Sequence, residues 1–92
     1  MPALSSAEIE KALVQLPGWQ LNDALLNRTF NFTDFREAMS FVNSVAAVAE
    51  RAGHHPDIDI RYNKVKLALT SHDAGGITEK DFALAAEIGT IL

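Results

Sequence analysis

Hydrophobic and polar residues alternate along two neighbouring stretches, 57–62 and 64–70. Their apolar residues fall at every second position: Ile58, Ile60, Tyr62, Val65, Leu67 and Leu69. Such alternation is typical of strands with one buried face. Only Asn63-Lys64 separates the two runs, and asparagine tolerates the positive φ that a tight turn requires. The pattern predicts a β-hairpin.

A loop of residues 63–64 fixes the register of this hairpin. The predicted pairs are Tyr62–Val65, Ile60–Leu67 and Ile58–Leu69. A slip of one residue would turn the apolar set to the other face, so the register is well specified. Extended outward, it sets His55 near His72 and His54 near Asp73. All three histidines of the chain would then meet at the open end of the hairpin.

Apolar spacing and capping residues predict three helices and two further strands around this hairpin. The helices run from the Ser5–Glu8 capping box to Pro17-Gly18, from about Asp34 to Ala52, and onward from Thr78–Asp81. The strands cover 19–21 and 25–32, with turn residues at Asn22-Asp23 between them. The order α-β-β-α-β-β-α predicts an α+β fold, a four-stranded antiparallel sheet with three helices on one face.

The middle helix is apolar over more of its circumference than contact with one sheet requires. Its main stripe is Phe35, Ala38, Met39, Val42, Val45, Ala46 and Ala49, widened by Phe41, Val48 and Ala52. Deep burial explains such a helix, as does packing against another subunit. Because so small a domain has little else to cover the helix, we expect self-association through Phe35–Ala52.

Length and composition narrow the range of functions. Ninety-two residues suffice for one domain, 1–92, and the absence of cysteine excludes disulfides and thiolate metal sites. The net charge of −4 without a basic cluster argues against direct nucleic-acid binding. Since no signal peptide or membrane-length apolar run is seen, we expect a cytoplasmic protein without membrane contact.

Three imidazoles at one place suggest acid–base chemistry, because histidine exchanges protons near neutral pH. Asp73 and Asp81 lie nearby in this prediction. A zinc site is the first alternative, but adjacent histidines point to opposite sides of an extended chain and the His-x-x-x-His spacing is absent. A plain role in ending strands is the second alternative, and it suits one histidine better than three.

Four other positions have a functional and a structural interpretation. Asp81 either contacts a ligand or histidine, or caps the helix from its place three residues after Thr78. Glu50 lies near the site or is a solvated last-turn residue. Trp19 stacks on a flat ligand, or belongs to the core or the edge of the sheet. Gly75-Gly76 cradles an anion or forms a turn.

The chain resembles the pterin-4a-carbinolamine dehydratases. The motif consists of Glu50, His54-His55-Pro56, Tyr62, His72 and Asp81 at their observed spacing. Asn63-Lys64-Val65, Thr70-Ser71-His72-Asp73, Gly75-Gly76 and Phe30-x-Phe32-x-x-Phe35 are also typical of that family. The likeness extends over nearly the whole chain and is weakest at the N-terminus.

The resemblance implies a tetramer of paired dimers and an enzyme that uses neither metal nor organic cofactor. Its reaction would be dehydration of 4a-hydroxytetrahydropterin to the quinonoid dihydropterin, in recycling of tetrahydrobiopterin after an aromatic amino acid hydroxylase. By position, His54 and His72 would be the acid–base pair and His55 would mainly hold the pterin. The rest of the expected binding site is Glu50, Pro56, Thr70, Ser71 and Asp81.

Two functions of other kinds remain open from the sequence. Animal relatives in the family also act as dimerisation cofactors of a homeodomain transcription factor through the long helix, here Phe35–Ala52. A related fold and site could alternatively recognise a pterin of molybdopterin metabolism. A size measurement with a partner, and binding tests with both ring types, separate these possibilities.

Overall fold

The computed structural model describes residues 2–92 and contains the predicted order of elements. The helices are α1 (Ser6–Leu13), α2 (Phe35–Ala52) and α3 (Glu79–Gly89), and a short 3-10 turn covers His72–Ala74. The strands are β1 (Gln20–Asn22), β2 (Leu25–Asn31), β3 (Asp57–Arg61) and β4 (Lys64–Leu69). They form one antiparallel sheet in the order β1-β2-β4-β3, so the predicted α+β fold is confirmed.

The sheet has one buried and one polar face, as the alternation predicts. Val65, Leu67 and Leu69 of β4 are fully buried beneath the helices, whereas Lys64 and Lys66 on the opposite face are exposed. Other large members of the core include Ile9, Leu26, Phe30, Phe41, Val42, Val45, Val48, Ile77, Leu84 and Ile88. Trp19 is buried just before β1, with its ring 6.1 Å from that of Phe30, so its core interpretation is the correct one.

The hairpin register differs from the prediction by one residue pair. Ile60 pairs with Val65, and the two-residue loop is Tyr62-Asn63 rather than Asn63-Lys64. Tyr62 takes the positive φ of 53°. Asn63 is held elsewhere, because its side-chain amide donates to the Phe32 carbonyl oxygen at 2.9 Å. A shift of two positions keeps Ile60, Val65 and Leu67 on their predicted face, although the strand pairs differ. Tyr62 was expected on that face too, but it lies in the turn and is 65% exposed, and Ile58 is 38% exposed.

Helix caps follow the sequence closely. Ser5 and Glu8 form the predicted capping box, and hydrogen bonds from the Ser5 backbone and side chain lower the pKa of Glu8. Asp34 caps α2 by accepting from the Glu37 backbone N–H at 2.9 Å. Gly53 ends that helix in the left-handed conformation with φ 65°, as predicted.

Smaller predictions needed correction. The β1–β2 turn consists of Asp23 and Ala24, both with positive φ, while Asn22 belongs to β1. For α3 the sequence predicts an apolar side of Phe82, Ala85, Ala86 and Ile88, but Leu84 is buried and Ala86 is exposed. Phe35 of α2 is 50% exposed although it belongs to the predicted stripe. Within residues 2–92, no helix is both long enough and apolar enough to cross a membrane.

Candidate active site

His54 lies where α2 gives way to β3, and it faces a carboxylate. The left-handed conformation of Gly53 reverses the chain, and the His54 backbone N–H donates to the Ala49 carbonyl oxygen at 3.2 Å. The His54 Nε2 atom is then 2.5 Å from Oδ1 of Asp81. The Asp81 side chain is fully buried and that of His54 is 15% exposed. One end of the imidazole is therefore anchored inside the protein while part of the ring reaches solvent.

The second oxygen of Asp81 is held by two donors. Its Oδ2 accepts from the Thr78 backbone N–H at 2.9 Å and from the Ser71 hydroxyl at 3.0 Å. The Ser71 and Thr78 hydroxyl oxygens are 2.9 Å apart. Asp81 thus caps α3 and contacts a histidine at once, so both interpretations of this residue apply. The sequence had presented these as alternatives because a contact 27 positions away leaves no local signal.

A hydrogen-bonded turn positions Ser71 beside Asp81. Ser71 exchanges backbone hydrogen bonds with Gly76 at 3.0 and 3.3 Å, enclosing the His72–Ala74 turn between them. Gly75 completes the turn with φ 72°. The Gly75-Gly76 segment therefore forms a hydrogen-bonded turn, which is one of its two interpretations from the sequence. It places His72 directly beside the residue that contacts Asp81.

The register also changes which residue faces His54. Continued from its last pair, Asp57–Ala68, the observed register sets His54 opposite Ser71. The predicted neighbour Asp73 is instead exposed within the 3-10 turn. The expectation that His54 lies opposite Asp73 rested on the predicted register, and the observed register gives that place to Ser71.

His55 points away from His54 and pairs with a different carboxylate. Its Nε2 atom is 2.5 Å from Oε2 of Glu50, in the last turn of α2. The side chains of His55 and Glu50 are 62% and 76% exposed. Adjacent histidines on opposite sides of the chain are what the extended backbone predicts. Glu50 is thus a solvated last-turn residue that also contacts a candidate site histidine.

The other predicted site residues lie around these two pairs. His72 is exposed, and its side chain makes no hydrogen bond to any residue of 2–92. Pro56 and Thr70 are half-buried. Direct contacts therefore join His54, Asp81 and Ser71 in one group and His55 with Glu50 in another. Sequence reasoning missed Thr78 as a member of the first group, since its capping pattern explained it fully.

A small cleft of about 140 Å³ borders the solvent side of His54. Its lining is Ala52, His54, Lys80, Ala83, Leu84 and Glu87. Over residues 2–92, no three histidine or carboxylate side chains are grouped so as to hold a metal ion. The arrangement offers a partly exposed imidazole with a buried carboxylate behind it, which suits proton transfer to a bound molecule.

Comparison with protein families matches residues 2–91 to the family described as pterin 4 alpha carbinolamine dehydratase. A relative from Chloroflexus aurantiacus, provisionally named a pterin-4-alpha-carbinolamine dehydratase, is 61% identical over 100% of this chain and 99% of its own. The match extends over the site and over the N-terminal segment, where the resemblance from motifs was weakest.

Two solved structures share the fold. A protein from Brucella melitensis, described as a transcriptional coactivator/pterin dehydratase, matches with a TM-score of 0.92 and 36% identity over 97% of each chain. A pterin dehydratase-like protein, described as a RuBisCO assembly factor in the alpha-carboxysome, matches with a TM-score of 0.64 and 26% identity. That match covers 79% of this chain and 84% of the other.

Proposed function

The chain belongs to the pterin 4 alpha carbinolamine dehydratase family, and we propose that it dehydrates 4a-hydroxytetrahydropterin by histidine acid–base catalysis. The observation that carries this proposal is the His54–Asp81 pair, a partly exposed imidazole anchored by a fully buried carboxylate. The product is the quinonoid dihydropterin. The reaction would return a hydroxylase-oxidised pterin to the tetrahydrobiopterin recycling route, in the cytoplasm.

The reaction needs one acid and one base. The departing hydroxyl on C4a is protonated and leaves as water, the proton on N5 is removed, and the C4a–N5 double bond forms. Two imidazoles meet both needs near neutral pH, and such groups typically contribute about 10²- to 10⁴-fold each. We assign these roles to His54 and His72. His72 is exposed at the start of the 3-10 turn that follows Ser71, so it would be accessible to a bound pterin.

The exposed and half-buried members of the expected site receive binding roles, whereas Ser71 and Asp81 are buried behind His54. The exposed His55–Glu50 pair offers hydrogen-bonding groups to the polar edge of the pterin. Thr70 and Pro56, both half-buried, border the mouth of the hairpin and would form the wall of the slot. Neither the residues nor the proposed chemistry calls for a cofactor.

The acid and the base could exchange roles between the two stereoisomers of the substrate. One imidazole would protonate the hydroxyl when it leaves from its own side of the ring, and the other would do so for the opposite isomer. Each isomer should then respond differently to loss of His54 and loss of His72. Identical impairment of both isomers in the two variants would contradict this part of the proposal.

A coupled hydroxylase assay that follows decay of 4a-hydroxytetrahydropterin tests the function. Wild type should accelerate decay above the spontaneous rate, and His54→Ala and His72→Ala should each lose most of that acceleration. Lys66→Ala, on the polar face of the sheet, is the matched control and should retain it. Fluorescence of Trp19, the single tryptophan, reports folding of every variant. Wild type no faster than the spontaneous rate would refute dehydratase activity.

We also propose that α2 mediates assembly of a homotetramer. Phe35 is 50% exposed, and the helical period places it beside the half-buried Met39 and the exposed Ala46. This apolar flank would bind a second copy, or a protein partner as in the second candidate function. The description of the Brucella melitensis relative as a transcriptional coactivator favours keeping the partner alternative.

A further inference from the structure

The hydrogen bonds around Asp81 fix where each proton in the network lies. Ser71 has one hydroxyl proton, and it donates this proton to Oδ2 of Asp81. Its 2.9 Å contact with Thr78 must therefore use the Thr78 proton. Thr78 in turn accepts from the Lys80 backbone N–H at 3.2 Å, which leaves its own proton free to donate. In the hydrogen-bond series from Thr78 through Ser71 to Asp81, each hydroxyl thus donates in the direction of the carboxylate.

The direction of these hydrogen bonds determines which ring nitrogen of His54 carries the proton. Oδ2 of Asp81 is occupied by two donors, so only Oδ1 faces His54. A carboxylate that already takes two donors on Oδ2 acts only as an acceptor, so the proton between Oδ1 and Nε2 belongs to the ring. The neutral ring then carries its proton on Nε2. Its Nδ1 atom is left without one, and only that atom can accept a proton from substrate.

We propose that Ser71 and Thr78 are positioning residues that, through Asp81, hold His54 in the Nε2–H tautomer and make Nδ1 its proton-exchanging atom. Neither hydroxyl touches the reacting atoms, since Ser71 is 4% exposed and Thr78 is 1% exposed. Described residues 2–92 contain no buried side-chain N or O atom without a partner, so the network is fully satisfied. The catalytic importance of the tautomer rests on the proposed function, whereas its existence does not.

The two donors on Oδ2 make a specific prediction for Asp81→Asn. An asparagine must place its carbonyl oxygen where the Thr78 N–H and the Ser71 hydroxyl both donate. Its NH₂ group then faces Nε2 of His54 and donates to it. The imidazole would have to carry its proton on Nδ1, the reverse of the wild type. In serine-protease triads the equivalent substitution reverses the tautomer and costs about 10⁴-fold in rate.

Nitrogen-15 NMR of the histidine rings tests the tautomer directly and needs no substrate. The His54 resonances are assigned by their loss in His54→Gln. Wild type should show a protonated Nε2 and an unprotonated Nδ1, and Asp81→Asn should show the opposite. Asp59→Asn, on the polar face of β3, should leave the spectrum unchanged. An Nδ1–H tautomer in wild type, or no change in Asp81→Asn, would overturn the proposal.

Kinetics test the contribution of Ser71. Loss of one positioning hydrogen bond should lower kcat by about 3- to 10-fold in Ser71→Ala, with little change in KM. Ser71 has an extended backbone with φ −109° and ψ 96°, a conformation that suits threonine. Ser71→Thr keeps the hydroxyl and should therefore recover kcat relative to Ser71→Ala. Asp81→Asn should lose roughly 10²- to 10⁴-fold. Equal losses in Ser71→Ala and Ser71→Thr, with both folded by Trp19 fluorescence, would refute the positioning role of the hydroxyl.

The NMR and kinetic experiments together distinguish failure of this proposal from failure of the proposed dehydratase function. If wild type shows the Nε2–H tautomer and Asp81→Asn reverses it, the network acts as described even in a chain that does not accelerate dehydration. In that case only the proposed reaction fails. If dehydration is accelerated but the tautomers are not as stated, the proposed reaction is supported and the proposed role of the hydrogen-bond network is wrong.

Discussion

Removing the Asp81 side chain should cost this small protein a large part of its stability. Asp81→Ala deletes the acceptor for three donors, namely the Thr78 backbone N–H, the Ser71 hydroxyl and His54 Nε2. Thr78 and Ser71 are buried, so water cannot replace what they lose. A buried donor left unsatisfied costs about 1–3 kcal/mol. His54 is 15% exposed and contributes less.

The expected loss in the free energy of unfolding is about 3–5 kcal/mol. A domain of 92 residues has a total stability of roughly 5–14 kcal/mol, so the variant would be marginally folded. For a domain of this size each kcal/mol lowers Tm by about 4–8 °C, which predicts a fall of more than about 10 °C. This loss is also the reason to test catalysis with Asp81→Asn, which keeps the volume and an acceptor.

Urea denaturation followed by Trp19 fluorescence measures this loss, because that residue is 5% exposed and reports the core. Asp59→Ala is the matched control. Its carboxylate pairs with Arg61 Nε at 3.1 Å on the surface, and exposed pairs contribute about 0–1 kcal/mol. A cost below about 1 kcal/mol for Asp81→Ala, equal to that of the control, would show that the buried network is not what holds α3 to the hairpin.

Three further predictions concern other parts of the molecule. Glu8→Gln should destabilise the protein at pH 7 but not at low pH. Because the pKa of Glu8 is lowered in the folded protein, its carboxylate stabilises the fold fully above the ordinary pKa of 4.5. This stabilisation is lost as the pH falls through the lowered pKa. Urea denaturation midpoints at pH 7 and at low pH measure the difference. Phe35→Glu should lower the molecular mass of the oligomer in size-exclusion chromatography with light scattering, whereas Ser44→Glu on the opposite side of α2 should leave that mass unchanged. An unchanged mass in Phe35→Glu would show that this flank of α2 is not the oligomer interface. Glu50→Gln should raise KM more than it lowers kcat, and the reverse would assign Glu50 to the chemical step.

The faces of the sheet were predictable because they depend on local alternation alone. A register error of two positions moves strand partners but leaves Val65 and Leu67 buried. The exact pairs were not predictable, since the Asn63 side chain is held by the carbonyl of Phe32, 31 positions earlier. That contact holds Asn63 against Phe32, the residue that follows β2, and the positive φ falls on Tyr62. Turn preference by itself could not reveal it.

The candidate site was predictable as a set of residues but not as a set of contacts. Histidine chemistry and family resemblance pointed to His54 and Asp81, and a capping pattern pointed to Thr78. Only the fold shows that one carboxylate serves both the cap and the histidine. Thr78 was recognised only as a helix cap, because that role left nothing about it unexplained in the sequence.

The adjacent residues His54 and His55 each pair with a carboxylate, but one pair is buried and the other is exposed. This difference in burial determines what each pair can do. The His55–Glu50 pair is mostly exposed, and such pairs contribute little to stability and separate readily. Its groups are therefore available to exchange their mutual hydrogen bond for bonds to a substrate. Asp81 is fully buried and held by two other donors, so His54 keeps its orientation whether or not a substrate is present. A fixed imidazole needs no reorganisation when a proton moves, which is why we assign the chemical step to His54 and substrate binding to His55.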